Sequence, residues 1–351
     1  MAEQIERYCP QLVSVSNLST AQELRLQIQH IPSARRPRIT VGSEGLIEVA
    51  THPETGMVIS AIVGVTGLVP TYEAILRGKT IALANKEIMV VAGELVKEAA
   101  RRSTAEIIPV DSEHNAIHQC LRSGKKKEVC RIILTASGGP FRNFSSRKMK
   151  TVTPQMALKH PTWNMGDRIT IDSATMMNKG FEVLEAKWLF DLPVEKISVL
   201  IHPQSIVHSM VEYVDGSIIA QLGITDMRHP IQYALTHPDR VATQRAYLDF
   251  RKVQKLEFLE PDPKKFPCLE LAYQAARNLG AQPCALNAAD EVAVDHFLSG
   301  EIQFSVIPKI ITKMMKLAES QSNFSTVQEL LQYDDNVRKE TRRLVQKDYT
   351  R

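Results

Sequence analysis

Short apolar runs alternate with longer amphipathic stretches over the first 111 residues of this 351-residue chain. The runs have the length of β-strands and lie at residues 12–15, 39–41, 58–62, 81–83 and 107–110. Residues 21–29 and 87–101 lie between such runs and have the spacing of helices. Alternating strands and helices predict a parallel sheet with helices on its faces. We therefore expect an α/β, Rossmann-like domain over residues 1–111.

The pattern changes after residue 111. Strand-like segments lie at residues 132–135, 199–201, 207–213 and 217–222, separated by polar and glycine-rich loops. Asp215-Gly216 predicts a hairpin turn between the last two segments. These features predict a central α+β catalytic domain over residues 112–236. Residues 237–266 contain three prolines and few helical signals, which predicts a linker.

Helical patterns occupy residues 267–351 and predict a C-terminal helical bundle. Pro267 is placed to begin a helix that Gly280 ends. Two more helices are predicted at residues 285–298 and 308–317. Ser325 and Gln328 have the spacing of a capping box at the start of a fourth.

One stretch, residues 171–182, carries several chemically useful side chains. They are Ser173, Asn178, Lys179 and Glu182. Residues 169–171 alternate as a strand would, whereas Phe181, Leu184 and Trp188 recur as one face of a helix. A lysine beside hydroxyl and amide groups suits a phosphate, and a carboxylate suits a cation. A polar loop that caps a helix would have the same pattern.

Composition narrows the choice of partners. The net charge of +4 fits anionic small molecules and is too small to favour nucleic acid. Five scattered cysteines without a CxxC pair predict a reducing compartment. No apolar run approaches the roughly 18 residues of a membrane span, and the first residues resemble neither a signal nor a transit peptide. We expect a cytoplasmic protein without a membrane or nucleic-acid partner.

Three polar stretches follow predicted strands of the first domain, at residues 63–67, 85–87 and 111–113. Parallel sheets bind ligands at these strand ends. Asp111 and Glu113 point to the same side of an extended chain and suit Mg²⁺ or Mn²⁺, although two exposed acids would have the same spacing. The GxGxxG fingerprint of dinucleotide-binding domains is absent.

Other polar positions have less specific interpretations. His202 and His208 lack metal-ligand spacing and are interpreted as structural or supporting residues. Asp290-Glu291 is interpreted as a solvated helix face. Trp163, near His160, fits either core packing or a flap that covers a substrate.

Eight motifs together resemble one enzyme family. They are ALANKE (82–87), PVDSEHNAI (109–117), LTASGGPF (134–141), KHPTWNMG (159–166), DSATMMNKG (172–180), HPQSIVHSM (202–210), QLGITDMR (221–228) and ALNAADE (285–291). Their order and coverage resemble 1-deoxy-D-xylulose 5-phosphate reductoisomerase. The resemblance implies an NADPH-dependent homodimer that uses Mg²⁺, Mn²⁺ or Co²⁺ to make 2-C-methyl-D-erythritol 4-phosphate, an early step of isoprenoid biosynthesis.

The resemblance also implies roles for individual residues. The implied metal ligands are Asp111, Glu113 and Glu182. The implied substrate contacts are Lys86, Ser112, Glu113, Ser137, His160, Ser173, Asn178, Lys179 and Glu182. Asn85, Glu87 and Gly166 match positions near the dinucleotide. The implied catalytic residues are Lys86, Glu113, His160 and the flap residue Trp163.

The beginning of the chain departs from the family pattern. The family begins with a strand and a glycine-rich GxTGxxG turn, whereas residues 1–5 resemble the middle of its second βα unit. We expect a natural start further upstream, and we expect the chain as written to bind NADPH poorly and to aggregate. The residues give no preference between NADP and NAD. Two other functions stay open: a non-catalytic relative that keeps the sugar-phosphate pocket and dimerises, and a cofactor-free, metal-dependent sugar-phosphate isomerase.

Overall fold

The computed structural model describes residues 1–163, 165–243, 246–319 and 323–349. The N-terminal strands are β1 Leu12–Val15, β2 Arg38–Val41, β3 Met57–Ser60, β4 Thr80–Leu83 and β5 Ile107–Pro109. The helices around them are α1 Ala2–Tyr8, α2 Leu18–Gln27, α3 Gly42–Ala50, α4 Leu68–Leu76 and α5 Lys86–Ser103. All paired strands run parallel, which confirms the predicted α/β alternation. They form two sheets, β1-β2 and β3-β4-β5, and no ladder joins these sheets within the described residues.

The central region contains a four-stranded mixed sheet of order β7-β6-β8-β9. Its strands are β6 Val129–Ala136, β7 Ile197–Ile201, β8 Val207–Tyr213 and β9 Ile218–Leu222. Its helices are α6 Ser112–Cys120, α7 Ser146–Met149, α8 Pro154–Ala157, α9 Asp167–Thr175, α10 Met177–Phe190 and α11 Arg228–Thr236. Strands β8 and β9 pair antiparallel around Asp215-Gly216, which confirms the predicted hairpin.

The strand predicted at residues 169–171 is wrong, because these residues lie in α9. Three alternating residues are too few to separate a strand from a helix. Burial of Ile171, Ala174 and Thr175 follows the i, i+3, i+4 spacing of a helix. Helix α9 ends at Met176, whose left-handed backbone (φ 66°) separates it from α10. The predicted helical face of Phe181 and Leu184 is confirmed in α10, where both are buried.

The C-terminal region consists of helices, as predicted. They are α12 Pro267–Asn278, α13 Gln282–Leu298, α14 Ile307–Leu317 and α15 Val327–Asp348. The predicted capping box of Ser325 and Gln328 is wrong by one residue. Thr326 Oγ1 accepts a hydrogen bond from the Glu329 amide (3.1 Å), and the Glu329 carboxylate accepts from the Thr326 amide (3.3 Å). Ser325 and Gln328 have the same spacing as Thr326 and Glu329, so only the observed start of α15 shows which pair forms the capping box.

One apolar core extends through all three regions. It includes Leu83 of β4, Leu134 of β6, Phe181 of α10, Leu286 of α13 and Ile310 of α14. Helix α10 lies at its centre, between α5 and α12. Because this core is continuous, the division into four segments drawn from the sequence stays a prediction. Among the described residues, no helix combines the length and apolar character needed to cross a membrane.

Candidate active site

The ends of β3, β4 and β5 place three polar loops side by side. Asn85 follows β4 and caps α5, since its Oδ1 accepts from the Ile88 amide at 3.3 Å. Its Nδ2 donates to the Gly64 carbonyl oxygen at 2.8 Å and so ties the β3 and β4 loops together. The predicted meeting of residues 63–67, 85–87 and 111–113 at one sheet edge is confirmed.

Three carboxylates converge in front of this edge. Asp111 and Glu113 lie at the start of α6, and Glu182 lies in α10. One oxygen from each lies within 4.8 Å of the other two. Three hard oxygen ligands at this separation fit a divalent cation such as Mg²⁺ or Mn²⁺, which completes its shell with water or substrate oxygens. The three side chains implied as metal ligands therefore lie close enough together to hold one cation.

Two buried lysines neutralise these carboxylates. Lys86 Nζ lies 2.5 Å from Asp111 Oδ2 and 3.3 Å from Glu182 Oε1. Lys179 Nζ lies 2.8 Å from Glu113 Oε1 and 2.5 Å from Glu182 Oε2. We call these five residues the carboxylate–lysine cluster. Each lysine ammonium group bridges two carboxylates and so holds the acids close together.

The electrostatics of the cluster follow from this pairing. Burial alone would lower the pKa of Lys86, but Asp111 and Glu182 raise it well above its usual value. Burial and the neighbouring Glu113 raise the pKa of Glu182 to about 7, against the opposing lysines. Lys86 therefore stays an ammonium group throughout the physiological range.

The cluster forms one side of a cavity of about 250 Å³. Most of the residues singled out from the sequence line it: Lys86, Asp111, Ser112, Glu113, Ser137, His160, Trp163, Ser173, Asn178, Lys179 and Glu182. The three positions predicted for the dinucleotide, Asn85, Glu87 and Gly166, do not line this cavity. The cavity has room for a small phosphorylated sugar, and the lysines and hydroxyl groups around it suit an anion.

His160 and Ser137 lie together on the cavity wall. His160 Nδ1 accepts hydrogen bonds from the backbone amides of Trp163 (2.9 Å) and Thr162 (3.2 Å). Its proton is therefore on Nε2, which lies 3.0 Å from Ser137 Oγ. Burial, with the charge of Arg142, lowers the pKa of His160, which favours this neutral form. Ser137 Oγ also accepts from the Gly139 amide at 3.2 Å, which leaves the hydroxyl hydrogen free to donate to a ligand.

Comparison with known proteins assigns the chain to a family. Three family models match it: 1-deoxy-D-xylulose 5-phosphate reductoisomerase over residues 1–93, the C-terminal domain of that enzyme over 107–190, and the DXP reductoisomerase C-terminal domain over 222–340. A reductoisomerase of Geotalea daltonii is 50% identical over 99% of this chain and 89% of its own length. The chain belongs to the 1-deoxy-D-xylulose 5-phosphate reductoisomerase family. It is accordingly an enzyme of the oxidoreductase class.

Solved structures agree with this assignment. The reductoisomerase from Zymomonas mobilis in complex with NADPH has a TM-score of 0.92 and 41% identity, covering 99% of this chain and 88% of that one. A DOX-P reductoisomerase in complex with NADPH, fosmidomycin and magnesium has a TM-score of 0.91 and 39% identity, covering 99% and 90%. The resemblance inferred from eight motifs is thereby confirmed, and the hypothesis of a non-catalytic relative is not favoured.

His202 and His208, interpreted from the sequence as structural or supporting residues, both line the cavity. His202 is fully buried, with Nδ1 2.8 Å from the Glu257 carbonyl oxygen, and its Nε2 accepts from the Ile206 amide at 3.1 Å. It therefore fixes the turn before β8. His208 lies on the cavity wall, and burial lowers its pKa despite the nearby charge of Glu113.

Sequence reasoning missed a buried pair behind the carboxylates. His114 Nδ1 lies 2.8 Å from Glu185 Oε2, and its Nε2 lies 2.9 Å from the backbone oxygen of Glu182. Both ring nitrogens face oxygen acceptors, so the protonated ring donates one hydrogen bond to the Glu185 carboxylate and one to the Glu182 carbonyl oxygen. The second of these bonds holds the backbone of Glu182 in place. Burial would lower the pKa of His114, but Glu185 raises it to about 9. The available signal was spacing, because Glu185 lies one helical turn after Glu182.

The interpretation of Asp290-Glu291 as a solvated face is wrong. Asp290 is fully buried, and Glu291 Oε1 lies 2.6 Å from Arg168 Nη1. Arg168 also approaches Glu87 at 3.4 Å. Helix α13 packs against α5, α9, α14 and α15, so little of it faces solvent. Glu87, predicted near the dinucleotide, therefore has a protein partner in Arg168. Gly166, also predicted near the dinucleotide, is exposed.

Proposed function

We propose that this chain converts 1-deoxy-D-xylulose 5-phosphate and NADPH into 2-C-methyl-D-erythritol 4-phosphate, with Mg²⁺, Mn²⁺ or Co²⁺ held by Asp111, Glu113 and Glu182. The observation that carries the proposal is the convergence of these carboxylates from two helices on one cavity lined by basic and hydroxyl groups. Relatives described as complexes with NADPH and with magnesium support the same cofactors here.

The substrate lies in the cavity, with its phosphate bound by hydroxyl, amide and ammonium groups. The groups proposed for phosphate and substrate are those of Ser137, His160, Ser173, Asn178 and Lys179, with Lys86 and Ser112 as further contacts. Asn178 already donates to Glu182 Oε1 at 2.7 Å, so it links the phosphate-binding group to the metal-binding group. Charge-assisted hydrogen bonds from Lys179 are the strongest of these contacts.

The residues of the cavity supply orientation and electrostatic stabilisation. Asp111, Glu113 and Glu182 would hold a divalent cation, which would act as a Lewis acid and supply positive charge against the negative charge of the carbon–carbon rearrangement. Lys86 stays protonated and donates to the same carboxylates and to developing charge on the substrate. His160 holds a proton on Nε2 and orients Ser137. Trp163 lines the cavity and would exclude water from it, and NADPH, when bound, would supply the hydride for the reduction.

The nicotinamide approaches from the side of Gly166, where the backbone is exposed and lacks a side chain. We assign Asn85 and Glu87 to this side as well. Asn85 shapes the loop ends through its bond to Gly64, and Glu87 does so through Arg168. The proposal thus separates the sugar-phosphate groups that line the cavity from the dinucleotide groups beside it.

A single assay tests the reaction. The chain is incubated with 1-deoxy-D-xylulose 5-phosphate, NADPH and Mg²⁺, while NADPH absorbance and the sugar phosphates are followed together. At NADPH concentrations high enough to offset the weak binding expected for the chain as written, we expect equal consumption of NADPH and substrate, abolished by a chelator and restored by Mg²⁺. Isomerised substrate without oxidation of NADPH would favour the cofactor-free isomerase. Absence of any change, with folded protein, would contradict the proposal.

The reductoisomerase is further proposed to be a homodimer. Strand β9 is an edge of the four-stranded sheet, and Ile218 at its start is 51% exposed while Val214 nearby is 69% exposed. Exposed apolar side chains on a sheet edge favour pairing with another copy. Light scattering after size exclusion tests this, with Ile218→Lys expected to give monomers and Lys316→Glu, in α14, as the control. A monomeric wild type would contradict it.

We also propose that the enzyme works in the cytoplasm. All five cysteines are free thiols, which fits a reducing compartment. Cell fractionation with an antibody to the chain measures this directly, and recovery outside the cytoplasmic fraction would contradict it.

A further inference from the structure

A second group of buried charges lies away from the catalytic cavity. We call it the Arg168 cluster; its members are Glu87, Arg168, Asp172, Asp290 and Glu291. None of them lines the cavity described above. The guanidinium of Arg168 lies at the centre, and the four carboxylates surround it.

The cluster joins three helices that are distant in the sequence. Arg168 of α9 lies 2.6 Å from Glu291 of α13 and 3.4 Å from Glu87 of α5. Both contacts are made by Nη1, and Nη2 donates to Asn287 Oδ1 of α13 at 3.1 Å. Within α9, Arg168 also lies 3.6 Å from Asp172. A planar fork of donors can make these contacts at once, which a lysine ammonium cannot.

The buried acids of the cluster depend on Arg168 for a positive charge beside them. Asp290 and Asp172 are buried, and burial raises the pKa of both, to about 6 for Asp172. Glu291 has a second partner, Arg338 of α15, at 2.5 Å. Arg338 also binds Asp334 of its own helix, and among the described residues its ion pairs reach only α13 and α15. The two arginines therefore share Glu291, and Arg168 is the one of the two whose ion pairs reach α5 and Asp172 of α9.

Both helices held by Arg168 carry such groups. Glu87 follows Lys86, whose ammonium bridges Asp111 and Glu182. Arg168 and Ser173 lie in the same helix, and Ser173 lines the cavity. A shift of α5 or α9 against α13 would move Lys86 relative to Ser173. A displacement of about 1 Å in such groups can cost about 100-fold in rate.

We propose that Arg168 is a positioning residue for this reaction: it fixes the starts of α5 and α9 on α13 and so sets the separation of Lys86 and Ser173 across the cavity. This proposal rests on the proposed function for its kinetic consequences. Arg168 touches neither the cavity nor the carboxylates proposed as metal ligands, so its effect is transmitted through Glu87 and α9.

The test compares Arg168→Lys with Arg338→Lys. Both keep the charge and remove one guanidinium bound to Glu291, so they are matched in chemistry. Kinetics give kcat and the KM of the sugar phosphate. Binding is measured separately from turnover by Trp163 fluorescence in a Trp188→Phe background, because these are the two tryptophans of the chain. The titrant is 1-deoxy-D-xylulose 5-phosphate with Mg²⁺ and without NADPH.

We expect Arg168→Lys to raise both KM and the fluorescence Kd about tenfold or more, and Arg338→Lys to change them less than about twofold. The melting temperatures of the two variants should fall by similar amounts. Equal kinetic effects in the two variants would show a merely structural role and overturn the proposal. If Arg168→Lys does not fold, Glu87→Gln removes the link to α5 alone, and an unchanged KM and Kd in that variant would overturn it equally.

The two proposals fail differently. A wild-type chain that does not oxidise NADPH contradicts the proposed function, whereas the fluorescence titration still measures whether Arg168 controls sugar-phosphate binding.

Discussion

The carboxylate–lysine cluster and the Arg168 cluster are built from similar charges but differ in their cations and surroundings. The first uses two lysines and lies on a cavity of about 250 Å³. The second has a guanidinium at its centre and does not line that cavity. One of its carboxylates comes from the same helix as the guanidinium, and the others come from α5 and α13. An ammonium group is a single charge on a flexible stem, whereas a guanidinium is a rigid fork. The first cluster can therefore rearrange around a ligand, and the second holds helices in fixed positions.

The number of charges does not separate the clusters, but their surroundings do. In the first cluster three carboxylates face two lysines, and burial raises the pKa of Glu182 to about 7. In the second, burial likewise raises the pKa of Asp172 and Asp290. A proton can therefore relieve part of the excess of acid in both, but the first cluster lines the cavity, where a cation can take the place of that proton.

The largest expected effect comes from Glu182→Gln. This change removes one charged oxygen ligand, so turnover should fall at least about 100-fold and require more Mn²⁺ or Mg²⁺. Metal titrations of activity and of Mn²⁺ binding measure this. The matched control is Asp334→Asn, a buried acid paired with Arg338, which should lower stability without changing metal dependence. Unchanged metal dependence in Glu182→Gln would remove the distinction between the clusters.

Lys179→Ala should act mainly on substrate binding. Loss of a charge-assisted contact, about 1.5–3 kcal/mol, should raise the KM of the sugar phosphate about tenfold to 100-fold. The structure adds a second expectation, because Lys179 also neutralises Glu113 and Glu182. Removal of that charge should leave Mn²⁺ binding as tight as before or tighter. A KM that stays constant, or weaker Mn²⁺ binding, would show that Lys179 does not have this double role.

The pH dependence of stability should differ in sign between Asp172 of the Arg168 cluster and Asp111 of the carboxylate–lysine cluster. The pKa of Asp172 is raised by burial to about 6, so its contribution is complete below its unfolded pKa and is lost as the pH rises through about 6. The positive charge of Lys86 outweighs the effect of burial and lowers the pKa of Asp111. The stability that ionised Asp111 contributes is therefore lost only when the solution is acidified. We expect Asp172→Asn to flatten the fall in melting temperature between about pH 4 and pH 6, the interval between its ordinary and its raised pKa. An unchanged slope would contradict this.

The smallest effect is expected at the helix that brings Arg338 to Glu291. Thr326→Ala removes the observed cap of α15 and should cost about 1 kcal/mol of unfolding free energy without changing the KM of the sugar phosphate. Ser325→Ala is the control, since Thr326 provides the cap and Ser325 contributes its backbone amide. Denaturant unfolding measures both. A larger loss in Ser325→Ala would favour the capping pair first predicted from the sequence.

Local patterns of the sequence determined much of the fold. The alternating runs predicted the parallel strands, Asp215-Gly216 predicted the hairpin, and Pro267 predicted the start of α12. Each depends on the backbone preferences of a few neighbouring residues, so distant contacts are not needed to infer it. The carboxylates Asp111 and Glu113 were recognisable for the same reason, as a pair at the end of one strand.

Only the tertiary structure decided what the buried charges contact. Residues 169–171 form part of a helix because α9 packs its apolar face on the core, which a three-residue pattern does not reveal. Asp290 is buried because other helices cover α13, and Glu291 is paired because Arg168 and Arg338 approach it. Burial and ion pairing depend on which distant segments meet, whereas a local pattern is the same on an exposed and a covered helix face. The sequence therefore identified the family and most cavity residues, and the packing of α5, α9 and α13 determined how those residues are held.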